Sequence, residues 1–237
     1  HGNGREVIYA NHAPVPENSP FVPPVLANCS VFYGDAIRKT YETRSRCISE
    51  IILIGQPVNA VQMSWSEDIE TVGIFLTALT EWEPLKHLVE TIKENHPGIE
   101  VLIRHHPVSL LETDVTSLID CYPDIRTTRG TPLSQDISDC DLVFCGNSGV
   151  AMNVLSGGRP VAYLSELDGL PHDYLGFVAG GLTCEVEGWH SSLYEQLRKF
   201  YNCKEWRSVM RDHDASFNVS ASRLQQEAKT RLERWIT

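Results

Sequence analysis

Two segments of this chain end an apolar run in residues that could do chemistry. One is Val101-Leu-Ile-Arg104-His105-His106-Pro107; the other is Asp141-Leu-Val-Phe-Cys145-Gly146-Asn147-Ser148-Gly149. Pro107 disfavours a helical conformation at His106, so the imidazole is presented at the end of a strand. There it could donate a hydrogen bond to an oxygen that gains charge in a reaction. Arg104 and His105 beside it could add a fixed charge and a second donor. In the other segment Gly146 and Gly149 let a ligand approach the backbone, and Ser148 offers a cap and a hydroxyl at a helix start, where Asn147 would cap equally well. Together they could cradle an anion, which points to a nucleotide or another phosphorylated ligand. A plain helix cap and a backbone-bonded histidine are the structural alternatives. Adjacent residues of an extended segment face opposite ways and no third ligand stands out, so no metal site is expected. The spacing matches neither a dinucleotide fingerprint nor a P-loop.

A third segment, Leu164-Ser165-Glu166-Leu167-Asp168-Gly169, carries two carboxylates just after another apolar run. Glu166 and Asp168 could bond sugar hydroxyls, or be solvated loop acids. Thr80 and Arg129 also fall at expected strand ends, where position alone suggests contact with a phosphate and a nucleobase respectively.

The elements that must hold these residues alternate. Strands are expected at Val72–Thr77, Glu100–Ile103, Ile125–Thr128, Leu142–Cys145, Val161–Leu164 and Leu182–Val186. Between them fall helices at Glu83–Asn95, Ser109–Asp120, Pro132–Asp139 and Ser148–Ser156. Leu85, Leu88, Val89 and Ile92 make the stripe of an amphipathic helix, and Gly157-Gly158 ends the last of the four. This rhythm predicts right-handed βαβ units: an α/β, Rossmann-like parallel sheet with helices on both faces. Upstream, residues 11–28 hold five prolines and read as an ordered loop or extended crossing. Strands follow at Cys29–Tyr33 and Ile51–Ile54, a helix at Asp35–Arg46, and a polar connection at Asn59–Glu70. The tail from Ser191 reads as mostly helical, with Phe217, Ala221, Leu224, Ala228 and Trp235 as a core stripe.

Composition narrows the class. The 237 residues are 42% hydrophobic and 22% charged, with a net charge of −11, so a nucleic-acid partner is not expected. An anionic ligand must be held by local donors, not by the overall field. Seven scattered cysteines without a C-x-x-C pair argue against a disulfide framework and for a reducing, cytoplasmic setting. No apolar run reaches the roughly 20 residues needed to span a bilayer. The opening His1, with no initiator methionine, reads as a processed chain or a fragment.

In order and content these segments resemble the C-terminal half of GT-B-fold transferases that build bacterial cell-surface polymers. These include CDP-glycerol glycerophosphotransferases, polysialyltransferases and capsule Kdo transferases. The likeness rests on the His106-Pro107 pair, the Ser148 helix start and the strand entry Gly157-Gly158-Arg159-Pro160-Val161. Tyr33-Gly34 and Ile52-Leu53-Ile54-Gly55-Gln56-Pro57 are similar to the family's passage between its two domains. It covers about residues 29–187, and His1-Gly2 is similar to a His-Gly step in the family's N-terminal domain. Where relatives carry paired serines or Tyr-Ser-Ser, this chain has Asn147-Ser148.

The resemblance implies that His106 and Ser148 contact the donor's phosphates, that Gly146 and Asn147 shape that site, and that His1 is a candidate base. It implies a transferase moving a sugar or polyol phosphate from a CMP-, CDP- or UDP-linked donor to a glycan or glycolipid acceptor. No cofactor or metal is expected. The location implied is cytoplasmic, at the inner membrane face if a missing region associates peripherally. The expected divisions are 1–58 (remnant of an N-terminal domain), 59–214 (nucleotide-binding domain) and 215–237 (C-terminal helix). A nucleotide-sugar isomerase of the UDP-N-acetylglucosamine 2-epimerase type and a non-catalytic nucleotide-binding module are the competing readings.

Overall fold

A computed structural model of the chain describes residues 7–10, 29–36, 50–55, 61–108, 112–169, 173, 175–217 and 219–236. They fall into two compact units, one of 1–61, 174–182 and 204–237, the other of 62–173 and 183–203.

The larger unit is built on six parallel strands: β4 (Thr71–Phe75), β5 (Glu100–Arg104), β6 (Ile125–Thr128), β7 (Leu142–Cys145), β8 (Val161–Tyr163) and β9 (Cys184–Glu185). Their order across the sheet is β6-β5-β4-β7-β8-β9. The chain runs outward from β4 to one edge, returns, and runs outward again from β7. The switch point of this doubly wound sheet therefore lies between β4 and β7, where ligands bind at the carboxyl ends of the strands. Helices α1 (Trp82–Asn95), α2 (Glu112–Cys121), α3 (Leu133–Ser138) and α4 (Val150–Ser156) make the crossovers, and α5 (Leu193–Tyr201) follows β9. All four residues of β7 are buried, as expected of a central parallel strand. Leu85, Val89 and Ile92 of α1 are fully buried, with Leu88 nearly so, as their spacing predicts.

The sheet and helices stand where the sequence puts them, with β9 shortened to two residues. Lys93 is a difference. Though charged, it is buried on α1, because its Nζ donates to Ile99 O and Asp124 Oδ2, both at 2.5 Å. Residues 62–70 of the expected 59–70 connection belong to this unit. Asp141 accepts from Ser66 Oγ (2.5 Å) and from the amides of Glu70 (2.8 Å) and Thr71 (3.0 Å). Arg198 lies over the rings of Trp65 and Tyr194 and donates to Ser66 O at 2.6 Å.

The smaller unit has three parallel strands in the order β1 (Val7–Ala10), β2 (Cys29–Phe32), β3 (Glu50–Leu53). With them go α6 (Lys204–His213) and α7 (Ala221–Ile236). Helix α7 packs on β3: Ala228, with Leu232 and Trp235, covers a cluster of Cys29, Val31 and Ile52. Gly55 has φ +62°, and a Cβ there would come within 2.5 Å of Ser216 Cβ, so the turn after β3 requires glycine. Residues 204–214, expected with the nucleotide-binding domain, group by contacts with the smaller unit. An amphipathic stripe shows that a helix covers something, not which sheet it covers. Strand β1 has no counterpart in the sequence reading. The expected helix at 35–46 is described only at Asp35 and Ala36; its remainder, the 11–28 stretch and His1 lie outside the described residues.

Candidate functional site

Strands β5, β4 and β7 lie side by side in register. Phe75 pairs with Arg104 on one side and with Cys145 on the other. The loops that follow therefore leave the same edge of the sheet: His105–His106 after β5, Leu76–Thr80 after β4, Gly146–Gly149 after β7. Two interstrand spacings, about 10 Å in all, separate the outer strand ends, a span suited to an extended phosphorylated ligand.

His106 is half-buried. Its Nδ1 accepts the amide of Val108 at 3.3 Å. In the neutral ring that bond leaves the proton on Nε2, so His106 is set up as a donor from its far nitrogen. The amide of His105 is held by Thr128 O at 2.9 Å. Arg104 turns elsewhere. Its guanidinium donates to Thr131 O at 2.9 Å and to the carboxylate of Asp136 on α3. Arg129 lies exposed in the turn after β6.

After β7 the backbone makes a tight turn, with the Ser148 amide donating to Gly146 O at 2.8 Å. Ser148 Oγ accepts the Val150 amide at 3.3 Å, which leaves the hydroxyl proton to be donated. The Asn147 amide does not point to an open seat. It donates to Asp168 Oδ2. A Cβ on Gly146 would fall on the same carboxylate, which is why glycine stands there. Thr77 Oγ1 donates to Asp168 Oδ1 at 2.6 Å and Thr80 Oγ1 at 3.4 Å, while Thr80 Oγ1 accepts the Thr77 amide at 2.8 Å.

The structure thus separates the two carboxylates that the sequence offered for sugar. A one-turn 3₁₀ segment, Ser165–Leu167, leaves Glu166 exposed and Asp168 only 3% exposed. Asp168 and Thr80 are engaged inside the protein. Glu166 lines a cleft of about 520 Å³ together with Glu185, Glu187, His190 and Gln196. Behind the turn, burial first and the charge of Asp173 second push the Tyr163 phenol up, and burial does the same to the Cys145 thiol. Both stay protonated at neutral pH, so neither serves as an anionic nucleophile.

Sequence reasoning missed Thr77 and Asp136. Thr77 closes an apolar run as Gly146 does and could have been noticed. Nothing local marks Asp136 as buried. Among the described residues no group of three or more His, Cys, Asp or Glu side chains could hold a metal ion, and no helix is long and apolar enough to cross a membrane.

No family model and no curated protein sequence matches the chain. Solved structures are similar to it. The calicheamicin glycosyltransferase CalG4 is 12% identical, with a TM-score of 0.56 over 88% of this chain and 53% of that one. A Listeria monocytogenes structure described as a UDP-N-acetylglucosamine 2-epimerase is 15% identical, with a TM-score of 0.55 over 88% and 60%. The GtfA/B complex gives 13%, 0.51, 98% and 53% respectively. The chain spans about half the length of the first solved structures it matches. Its α/β architecture, a parallel six-stranded sheet flanked by helices, is the Rossmann-like fold found in GT-B glycosyltransferases.

Proposed function

We propose that this chain is the nucleotide-binding part of a GT-B-type transferase, which moves a sugar or polyol phosphate from a nucleotide-activated donor to a glycan or glycolipid acceptor. The observation that carries this reading is the gathering of His106, Thr77–Thr80 and Gly146–Gly149 at one edge of the sheet, around the β4–β7 switch point. In this mechanism the acceptor hydroxyl loses its proton to a base, the role His1 inherits from the family likeness, and attacks the activated centre of the donor. The bond to the departing nucleotide phosphate breaks. His106 Nε2–H and the Ser148 hydroxyl donate to its oxygens as charge develops, which is where a placed donor lowers a barrier. Glu166, at the neighbouring cleft, is suited to the hydroxyls of the transferred group. The donor is CMP-, CDP- or UDP-linked, with no cofactor beyond it and no nucleic acid as partner. The enzyme works in the cytoplasm, at the inner face of the membrane where its acceptor is lipid-linked.

The test is a thermal-shift panel of CMP, CDP, UDP, UMP and GDP, followed by calorimetry on whichever binds. A ligand that binds only the folded state stabilises it by about 2.7 kcal/mol at a hundredfold excess over Kd. No shift with any of the five would refute the reading. Product analysis with the full-length enzyme then separates transfer, which needs an acceptor, from isomerisation of the donor alone.

A further inference from the structure

The segment Leu167–Gly169 does something its place in the chain does not foretell. Strand β8 is not a neighbour of β4, because β7 lies between them. Yet the residues after β8 bond to the loop after β4. Glu81 N donates to Leu167 O at 2.9 Å, Gly169 N donates to Leu79 O at 3.3 Å, and Thr80 and Asp168 form an antiparallel bridge. The segment therefore reaches past the end of β7, and Asp168 lies within it. One carboxylate then accepts from Thr77 and Thr80 after β4 and from the Asn147 amide after β7. No cation pairs with it among the described residues. A charge buried this deeply is costly unless hydrogen-bonded, and an apolar side chain would fill the space at lower cost. What the carboxylate adds is a fixed position for three loops.

We propose that Asp168 is the positioning residue of the anion site: its carboxylate locks the Gly146–Ser148 turn to the Thr77–Thr80 loop, so that the Ser148 hydroxyl is held ready for the phosphate of the donor. The proposal rests on the nucleotide-donor reading above and assigns Asp168 no contact with the substrate. It differs from the sugar-binding role that the sequence suggested, since Asp168 acts through Asn147 and Ser148.

The experiment compares Asp168→Ala, Asp168→Asn and Thr77→Val with the wild-type chain. It reads backbone amide exchange at Asn147 by NMR, nucleotide affinity by calorimetry, and folding by circular dichroism. Asp168→Ala removes the acceptor of a charge-assisted bond, and both Asn147 protection and affinity fall about tenfold or more. Asp168→Asn restores most of both, because its carboxamide can present oxygen to the Asn147 amide while its NH₂ group donates to Thr77 Oγ1. Thr77→Val gives an intermediate loss and keeps the test decidable should Asp168→Ala not fold. A folded Asp168→Ala chain with unchanged Asn147 exchange overturns the proposal. So does tighter binding in that variant, which would mean that Asp168 competes with the ligand for the amide. Absence of nucleotide binding in the wild type refutes the functional reading instead, and the exchange at Asn147 still decides whether Asp168 orders the turn.

Discussion

Arg104, at the end of β5, and Asp136, wholly buried on α3, form an ion pair, and Thr128 Oγ1 donates to the same carboxylate oxygen at 2.8 Å. The arginine that the sequence places beside the histidines as a phosphate ligand is thus neutralised by a residue 32 positions away. It braces the ends of β5 and β6 against α3.

Removal of that brace should cost stability. Asp136→Ala takes away an acceptor that serves both a charged and a neutral donor, and the expected loss is about 1.5–3 kcal/mol, read as a lower urea midpoint. A change below about 0.5 kcal/mol, the size of an ordinary surface substitution, would show that the pair contributes little.

His106→Ala should leave the fold intact and weaken nucleotide binding. One charge-assisted bond is worth roughly 1.5–3 kcal/mol, on the order of tenfold to a hundredfold in Kd. Ser148→Ala should cost less, because the Val150 amide that Ser148 Oγ now accepts is then released to donate to the anion. Calorimetry on folded variants decides, and wild-type affinity in His106→Ala would make that histidine structural.

Two glycines in one turn should behave oppositely. Gly146→Ala drives a methyl into the Asp168 carboxylate, an overpacking that costs about 1–3 kcal/mol and should disturb ligand binding. Gly149 has φ −61° and open space where a Cβ would stand, so Gly149→Ala should be close to neutral. Equal stability of the two variants would contradict the close approach of Asp168 to Gly146.

A pH effect is expected at Glu50. Arg231 donates to its Oε1 at 2.8 and 3.1 Å and Trp235 to its Oε2 at 2.9 Å. The Arg231 bond first, and the Trp235 bond second, hold this carboxyl below its ordinary value of 4.5. A depressed folded value means that the contribution is fully present above pH 4.5 and is lost as pH falls through the lower, folded one. Exposure to solvent keeps the effect small. An NMR titration of the Glu50 carboxyl should give a low midpoint in the wild type and a rise toward 4.5 in Arg231→Ala. An unmoved midpoint would show that Arg231 is not the cause.

Periodicity made the large sheet legible. Strands such as Leu142–Cys145, and the α1 stripe Leu85, Leu88, Val89 and Ile92, follow from hydrophobic rhythm alone. The shared edge of His106 and Ser148 followed from parallel strand direction. What stayed hidden depends on tertiary contact. Asp168 and Glu166 are two residues apart and chemically alike, and only the reach of their loop toward β4 sends one inward and the other to solvent. Lys93 and Asp136 look like surface charges until Asp124 and Arg104 are brought beside them. The sheet that α7 covers is likewise set by packing, which leaves no local mark.

Among the described residues, strand β6 is the last strand of the large sheet on one side. Arg126 stands in the middle of it, charged and solvent-accessible, pinned by Glu100 at 2.8 Å and Asp139 at 2.9 Å. A desolvation penalty is thereby set against any second chain that would extend the sheet. The arginine matters for colloidal behaviour more than for folding. An apolar residue in its place would leave the fold nearly as stable and remove the charge that discourages pairing at this margin.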